Sequence, residues 1–202
     1  MSDTKEYIVV IATRLFLQKS FKEVTMKELV EKTGMSKGAF YHYFKSKEEV
    51  FLDSLKLFHK AFERDFSTYS QDSLKQFYNN YLNDTIRLTQ EYFKLFGHAF
   101  RESEITINHF SMVFDALRLL PEYRKNIEEP FKIELQNWVK IIRTARLSGE
   151  IKTSLSDKKL GEIFIYVSDG LGINMIMRGA ALEDMIKHLR NQWDALYEQI
   201  KA

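Results

Sequence analysis

The residues best equipped for chemistry stand close together near the start of the chain, in Ser36-Lys37-Gly38-Ala39-Phe40-Tyr41-His42-Tyr43-Phe44. On a helix, Lys37, Tyr41 and His42 offer an ammonium, a phenol and an imidazole to the outside, while Phe40 and Phe44, four apart, turn to the core. Gly38 removes a side chain from the first turn, which allows another surface to come close. Thr25 and Ser36 stand at helix starts, where free amides and the positive end of the dipole attract phosphate. Lys47 adds a cation at the start of the next helix. Such groups hold phosphates and reach base edges; they do not assemble a reaction centre.

A catalytic reading has less to build on. His98 and Glu102, four apart, could share a metal, yet no third ligand is evident and a surface ion pair accounts for them. The sequence contains no H-E-x-x-H, no G-x-S-x-G, no P-loop and no Rossmann glycine run. Gly170-Leu171-Gly172 lacks the strand that a phosphate-binding turn follows. Cys is absent, which removes disulfides, thiolate metal sites and thiol catalysis together. Neither an enzyme nor a cofactor is expected.

Positioning these groups falls to helices. The chain has 202 residues, with 8 Gly and 2 Pro, too few breakers for an all-β fold. Ile8, Ile11, Ala12, Leu15 and Phe16 follow helical spacing, so a first helix is expected over about 4–19. Thr25-Met26-Lys27-Glu28 and Ser46-Lys47-Glu48-Glu49 are capping boxes. The first opens a two-turn helix that Gly34 stops; the second opens a long helix with Val50, Phe51, Leu55, Phe58, Phe62 and Phe66 inward. Two short helices joined by a Gly-containing turn are a helix-turn-helix, the second being the recognition helix. Further helices are expected over 72–100, 105–119, 122–148 (kinked or broken at Pro130), 157–178 and 181–201. The expected fold is all-α with about nine helices: a three-helix head, residues 1–47, and a larger helical bundle, residues 48–202.

Charge divides at the same place. Residues 1–47 hold nine Lys and Arg against five Asp and Glu, a balance of +4, while the rest of the chain is −2. A basic head on a faintly acidic body suits a nucleic-acid partner. The longest run without a charged residue is ten, Ile105 to Phe114, so no membrane span is expected, and the polar start resembles no signal peptide. A cytoplasmic protein is expected.

The segment from Val24 to Phe51, above all Gly34-Met35-Ser36-Lys37-Gly38 followed by Tyr41-His42-Tyr43-Phe44-Lys45-Ser46-Lys47-Glu48-Glu49, closely resembles the DNA-binding head of TetR-type transcriptional regulators. Val30 departs from the small Ala usual there. The resemblance implies that Thr25, Lys37, Tyr41 and Lys47 touch the DNA backbone, and that the first recognition turn and His42 approach bases; Ser36, Gly38 and Ala39 are expected on the same DNA-binding surface. It also implies a homodimer on a palindromic operator in double-stranded DNA.

The body beyond residue 55 carries no specific resemblance. Half of all aromatic residues fall between 51 and 118. Phe62, Phe66, Phe93, Phe96, Phe100, Phe110, Phe114 and Trp138 can pack as plain core or line a cavity for an apolar or aromatic effector, with Tyr92, His109, Asn137 or Asn174 as polar anchors. Gly161, Ser168 and Gly172 share a helix face. With Leu189, Trp193 and Leu196 on the following helix, they are expected at a dimer interface, where small residues let backbones meet. The expected function is that of a repressor released by a small ligand. The alternatives are a ligand-binding helical protein or enzyme that has lost DNA binding, and a regulator controlled by a protein partner.

Overall fold

Three hydroxyl caps frame the N-terminal helices. Thr25 accepts the Glu28 amide at 3.1 Å, Ser36 the Ala39 amide at 3.3 Å and Ser46 the Glu49 amide at 3.2 Å. Each satisfies an amide that the first helical turn leaves without an internal partner. The reciprocal half of the second box shifts by one residue, Glu49 accepting the Lys45 amide at 2.7 Å. In the first box Glu28 instead takes the Lys19 ammonium at 2.5 Å. Gly34 closes the second helix in the left-handed region, φ 67°, where a Cβ would be strained.

The computed structural model describes residues 3–96 and 102–202, without the side chains of 96, 102–107, 109 and 121. Among the described residues nine α-helices run in order: α1 Asp3–Gln18, α2 Met26–Thr33, α3 Lys37–Tyr43, α4 Lys47–Ala61, α5 Leu74–Phe96, α6 Glu102–Leu119, α7 Lys125–Leu147, α8 Asp157–Met177 and α9 Leu182–Ile200. Among the described residues, the only extended pairing is one isolated bridge, Ile151 to Lys201.

The chain forms two compact units, Met1–Glu63 with Glu91–Tyr123, and Arg64–Gln90 with Arg124–Ala202. The 47/48 division expected from sequence lies inside the first unit, at the start of α4. The first unit's core joins Ile8, Ala12, Phe16, Leu29, Phe40, Phe44 and Phe51 with Met112 and Ala116 of α6. The second is built on rings: Trp138 stacks on Phe164 at 4.7 Å, and Trp193 and Phe77 meet Trp138 edge-on at 5.3 and 4.9 Å. Glu150 accepts the Leu74 and Lys75 amides at 2.9 and 3.0 Å, capping α5 within that unit.

Three expectations need correction. The long helix does not reach Phe66: α4 ends at Ala61, where the Phe62 amide is shared between the Phe58 and His59 carbonyls. Arg64 then opens the second unit, its guanidinium 3.7 Å over the Tyr81 ring and bonded to Thr85 at 2.9 Å, and Phe66 sits in a 3-10 turn. Pro130 does not break the helix, since α7 runs through it from Lys125 to Leu147. Finally, α8 does have the length and composition to cross a membrane, with an 18-residue window of mean hydropathy 1.3. Its window is only 28% buried.

Candidate nucleic-acid interface

The helix-turn-helix is held from below. Phe40 and Phe44 are buried and tilt against each other at 6.1 Å, fixing the inner side of α3. The three residues Gly34, Met35 and Ser36 make the turn from α2, with Thr33 and Leu29 buried on its approach. That leaves Ser36, Lys37, Gly38, Ala39 and His42 exposed and Tyr41 partly buried. The sequence-expected face is therefore assembled on one side of α3. The Lys37 ammonium lies 5.9 Å from the Tyr41 ring centroid, and His42 meets Tyr43 edge-on at 5.3 Å. No atom lies within 4 Å of where a Cβ on Gly38 would stand. The fold itself has no need of a glycine there.

Lys47 faces another way. Its ammonium donates to the Phe21 and Val24 carbonyls, both at 2.7 Å, and lies 4.3 Å over the Phe21 ring. The cation expected to meet DNA thus ties down the loop that leads from α1 into α2. Carbonyls carry no signature in sequence, so this role was not legible there. Lys45 does the same locally, donating to the Tyr41 carbonyl at 2.5 Å.

The expected effector residues fall into separate groups. In the first unit Phe62 and Tyr92 pack at 5.1 Å beside Phe58, with Phe93 6.3 Å from Tyr92. Burial pushes the Tyr92 phenol above its ordinary range. Phe110 lies 6.4 Å from Phe114, but Phe114 is 65% exposed. The buried side of α6 carries Met112, Asp115 and Ala116, and residue 114 projects away from it. Phe66 and Trp138 belong to the ring core of the second unit. Phe96, Phe100 and His109, like His98 and Glu102, lie outside the described residues or have undescribed side chains.

The expected interface residues also divide. A Cβ on Gly161 would stand 3.3 Å from Leu135 and from the Trp138 Cβ, so that glycine serves the crossing of α8 with α7. Leu189 and Trp193 are buried in the same unit, the Trp193 indole donating to the Phe164 carbonyl at 3.2 Å. Their seam closes within the chain because α9 lays it against α8. Leu196 is partly buried on that core, and Ser168 and Gly172 are partly exposed. Sequence reasoning overlooked the outer side of α8, where Tyr166, Ile173 and Met177 are exposed. Their spacing with Gly170, in steps of four, three and four, was the available signal.

Comparison with known proteins follows the same division of the chain. Residues 8–53 match the family of bacterial regulatory proteins, tetR family. The uncharacterized HTH-type transcriptional regulator YerO of Bacillus subtilis (strain 168) is 44% identical over 54 residues, 27% of this chain and 19% of YerO. The HTH-type transcriptional repressor NemR of Escherichia coli (strain K12) is 35% identical over 69 residues, 34% of this chain and 31% of NemR. The match therefore spans less than a third of the length of either relative. Over both whole chains, the fold resembles that of a putative transcriptional regulator from Saccharomonospora viridis in complex with choline, with a TM-score of 0.65 at 20% identity. The helix-turn-helix head, residues 8–53, is thus similar to that of the bacterial regulatory proteins of the tetR family, and the all-helical fold resembles that of solved regulators.

Proposed function

We propose that this chain is a sequence-specific DNA-binding transcriptional regulator, a cytoplasmic repressor that a small apolar or aromatic ligand releases from its operator. The observation that carries the reading is the outer side of α3, where Lys37, Gly38, Ala39 and His42 are exposed around a glycine that meets nothing in its own chain. A groove-bound helix needs close backbone approach, cations for phosphates and donors for base edges. Residues 1–47 act as the reading head and residues 48–202 as the effector-binding and dimerisation domain. Ser36, Lys37, Gly38, Ala39, Tyr41 and His42 face DNA, while Thr25 and Lys47 set the angle of α2.

Two copies of the head read a palindromic site in double-stranded DNA when their recognition helices lie about 34 Å apart. The exposed apolar side of α8, with Gly170 and Gly172 open, supplies the pairing surface of the homodimer. The effector occupies the aromatic group of the first unit, around Phe58, Phe62, Tyr92 and Phe93. Occupancy favours a conformer whose heads no longer match adjacent grooves, so ligand weakens DNA binding and DNA weakens ligand binding by the same factor.

The test is selection of a duplex from a random 30-base-pair library, followed by titration of the labelled winner at two salt concentrations. A selected palindrome and an affinity that falls steeply with salt are expected. Failure to enrich any sequence, or affinity indifferent to salt, overturns the reading.

A further inference from the structure

The loop between α1 and α2 is clamped at one residue, Phe21, from two other helices. The Phe21 amide donates to Oδ2 of Asp115 in α6, at 3.1 Å and across 94 positions of sequence. The Phe21 carbonyl accepts the Lys47 ammonium of α4 at 2.7 Å, and Lys47 also holds the Val24 carbonyl. The Phe21 ring lies 4.8 Å from Phe51 of α4 and 6.1 Å from Phe16 of α1. The rest of the loop is stiff. The Val24 amide bonds to the Ser20 carbonyl at 3.3 Å, and Glu23 accepts both the amide and the hydroxyl of Ser20 at 2.8 and 2.7 Å. Thr25, the cap of α2, follows directly.

Asp115 is buried, and its second oxygen takes the exposed Arg118 at 2.6 Å. A buried carboxylate on a backbone amide is a charge-assisted bond, stronger and more directional than packing alone. A shift of α6 is thereby carried to Phe21, and the stiff turn passes it to the first residue of the reading motif.

We propose that Asp115 is a positioning residue that fixes the reading head to α6, so that displacement of α6 is transmitted through Phe21 to α2 and α3. This rests on the regulator reading above and names the element through which it is regulated. Met112, buried in the same core as Tyr92 of the proposed effector group, stands on the same helix three residues earlier.

The experiment uses the full-length protein and the duplex it selects from the random library. Asp115→Ala should lower affinity about tenfold, the scale of one charge-assisted hydrogen bond. Loss of a negative charge would by itself raise DNA affinity, so the sign separates positioning from electrostatics. Asp115→Asn keeps a carbonyl acceptor and should stay within about threefold of wild type. Arg118→Ala, which leaves the Phe21 bond intact, should stay within about twofold. Hydrogen exchange should quicken at the Phe21 amide in Asp115→Ala while Leu29 and Phe40 stay protected.

The coupling itself is read by a double-mutant cycle. Ala116→Val, a larger side chain at a fully buried position of α6, should weaken DNA binding in the wild-type background and much less beside Asp115→Ala. If Asp115→Ala unfolds the head, Asp115→Leu, which fills the buried space but accepts no hydrogen bond, takes its place in the cycle. Unchanged affinity and Phe21 protection in Asp115→Ala, or strictly additive effects of Ala116→Val with the variant that lacks the acceptor, overturn the coupling alone. A wild-type protein that enriches no duplex overturns the regulator reading and this inference with it.

Discussion

Helices α3 and α8 share a device and differ in its surroundings. Both carry glycines in open space: no atom lies within 4 Å of a Cβ built on Gly38 of α3, or on Gly170 and Gly172 of α8. A glycine inside a helix costs about 1 kcal/mol relative to alanine, and nothing within the chain offsets that cost at these positions. Around Gly38 stand an exposed ammonium and imidazole; around Gly170 and Gly172 stand Tyr166, Ile173 and Met177, the last 72% exposed. On the proposed function, the open glycine leaves room for another backbone or groove to come close. Its neighbours then suit a polyanionic partner at α3 and an apolar one at α8. Gly161 is the control within α8, since contacts at 3.3 Å account for it inside the chain.

The largest effect is expected at α3. Gly38→Leu should lower affinity for the selected duplex a hundredfold or more (about 2.7 kcal/mol) without lowering the melting temperature, as titration and calorimetry would show. Retained affinity would end the parallel between the two helices. At α8 the glycines should separate. Gly161→Leu overpacks the crossing with α7 and should cost about 1–3 kcal/mol of stability in urea melts. Gly172→Leu should instead convert a dimer into monomers, read by sedimentation at micromolar concentration. A monomeric wild type would remove the apolar half of the comparison.

The two lysines of the head sharpen it further. Lys37→Ala should weaken DNA binding and reduce the salt slope by about one, leaving stability unchanged. Lys47→Ala should cost about 1–2 kcal/mol of stability, because two carbonyls lose a charged donor. Identical phenotypes for the two would contradict the inward course of Lys47.

The smallest effect concerns pH. His59 of α4 meets the Tyr123 hydroxyl at 2.5 Å, and burial holds its imidazole below the ordinary value of 6.5. The unfolded chain then binds the proton more readily. The contribution is fully present above pH 6.5 and is lost as pH falls through the lower folded value. His59→Phe should flatten the acid side of the stability profile; an unaltered profile would remove the effect.

Much of this was written in local residue types. Thr25, Ser36 and Ser46 announce helix starts and Gly34 a stop, because caps act over three or four residues and do not depend on the rest of the fold. The Phe40 and Phe44 spacing fixes which side of α3 faces outward, and with it the place of Lys37 and His42. Tertiary structure decided the rest. It sent Lys47 inward to carbonyls that have no sequence signature. It ended α4 at Ala61, where the chain passes to Arg64 and its Tyr81 ring. It closed the Leu189 and Trp193 seam within one chain, and brought Asp115 to an amide 94 residues away. Periodicity tells which side of a helix is apolar. Which neighbour covers that side is settled only when the other helices are in place, because burial is a property of the assembled core.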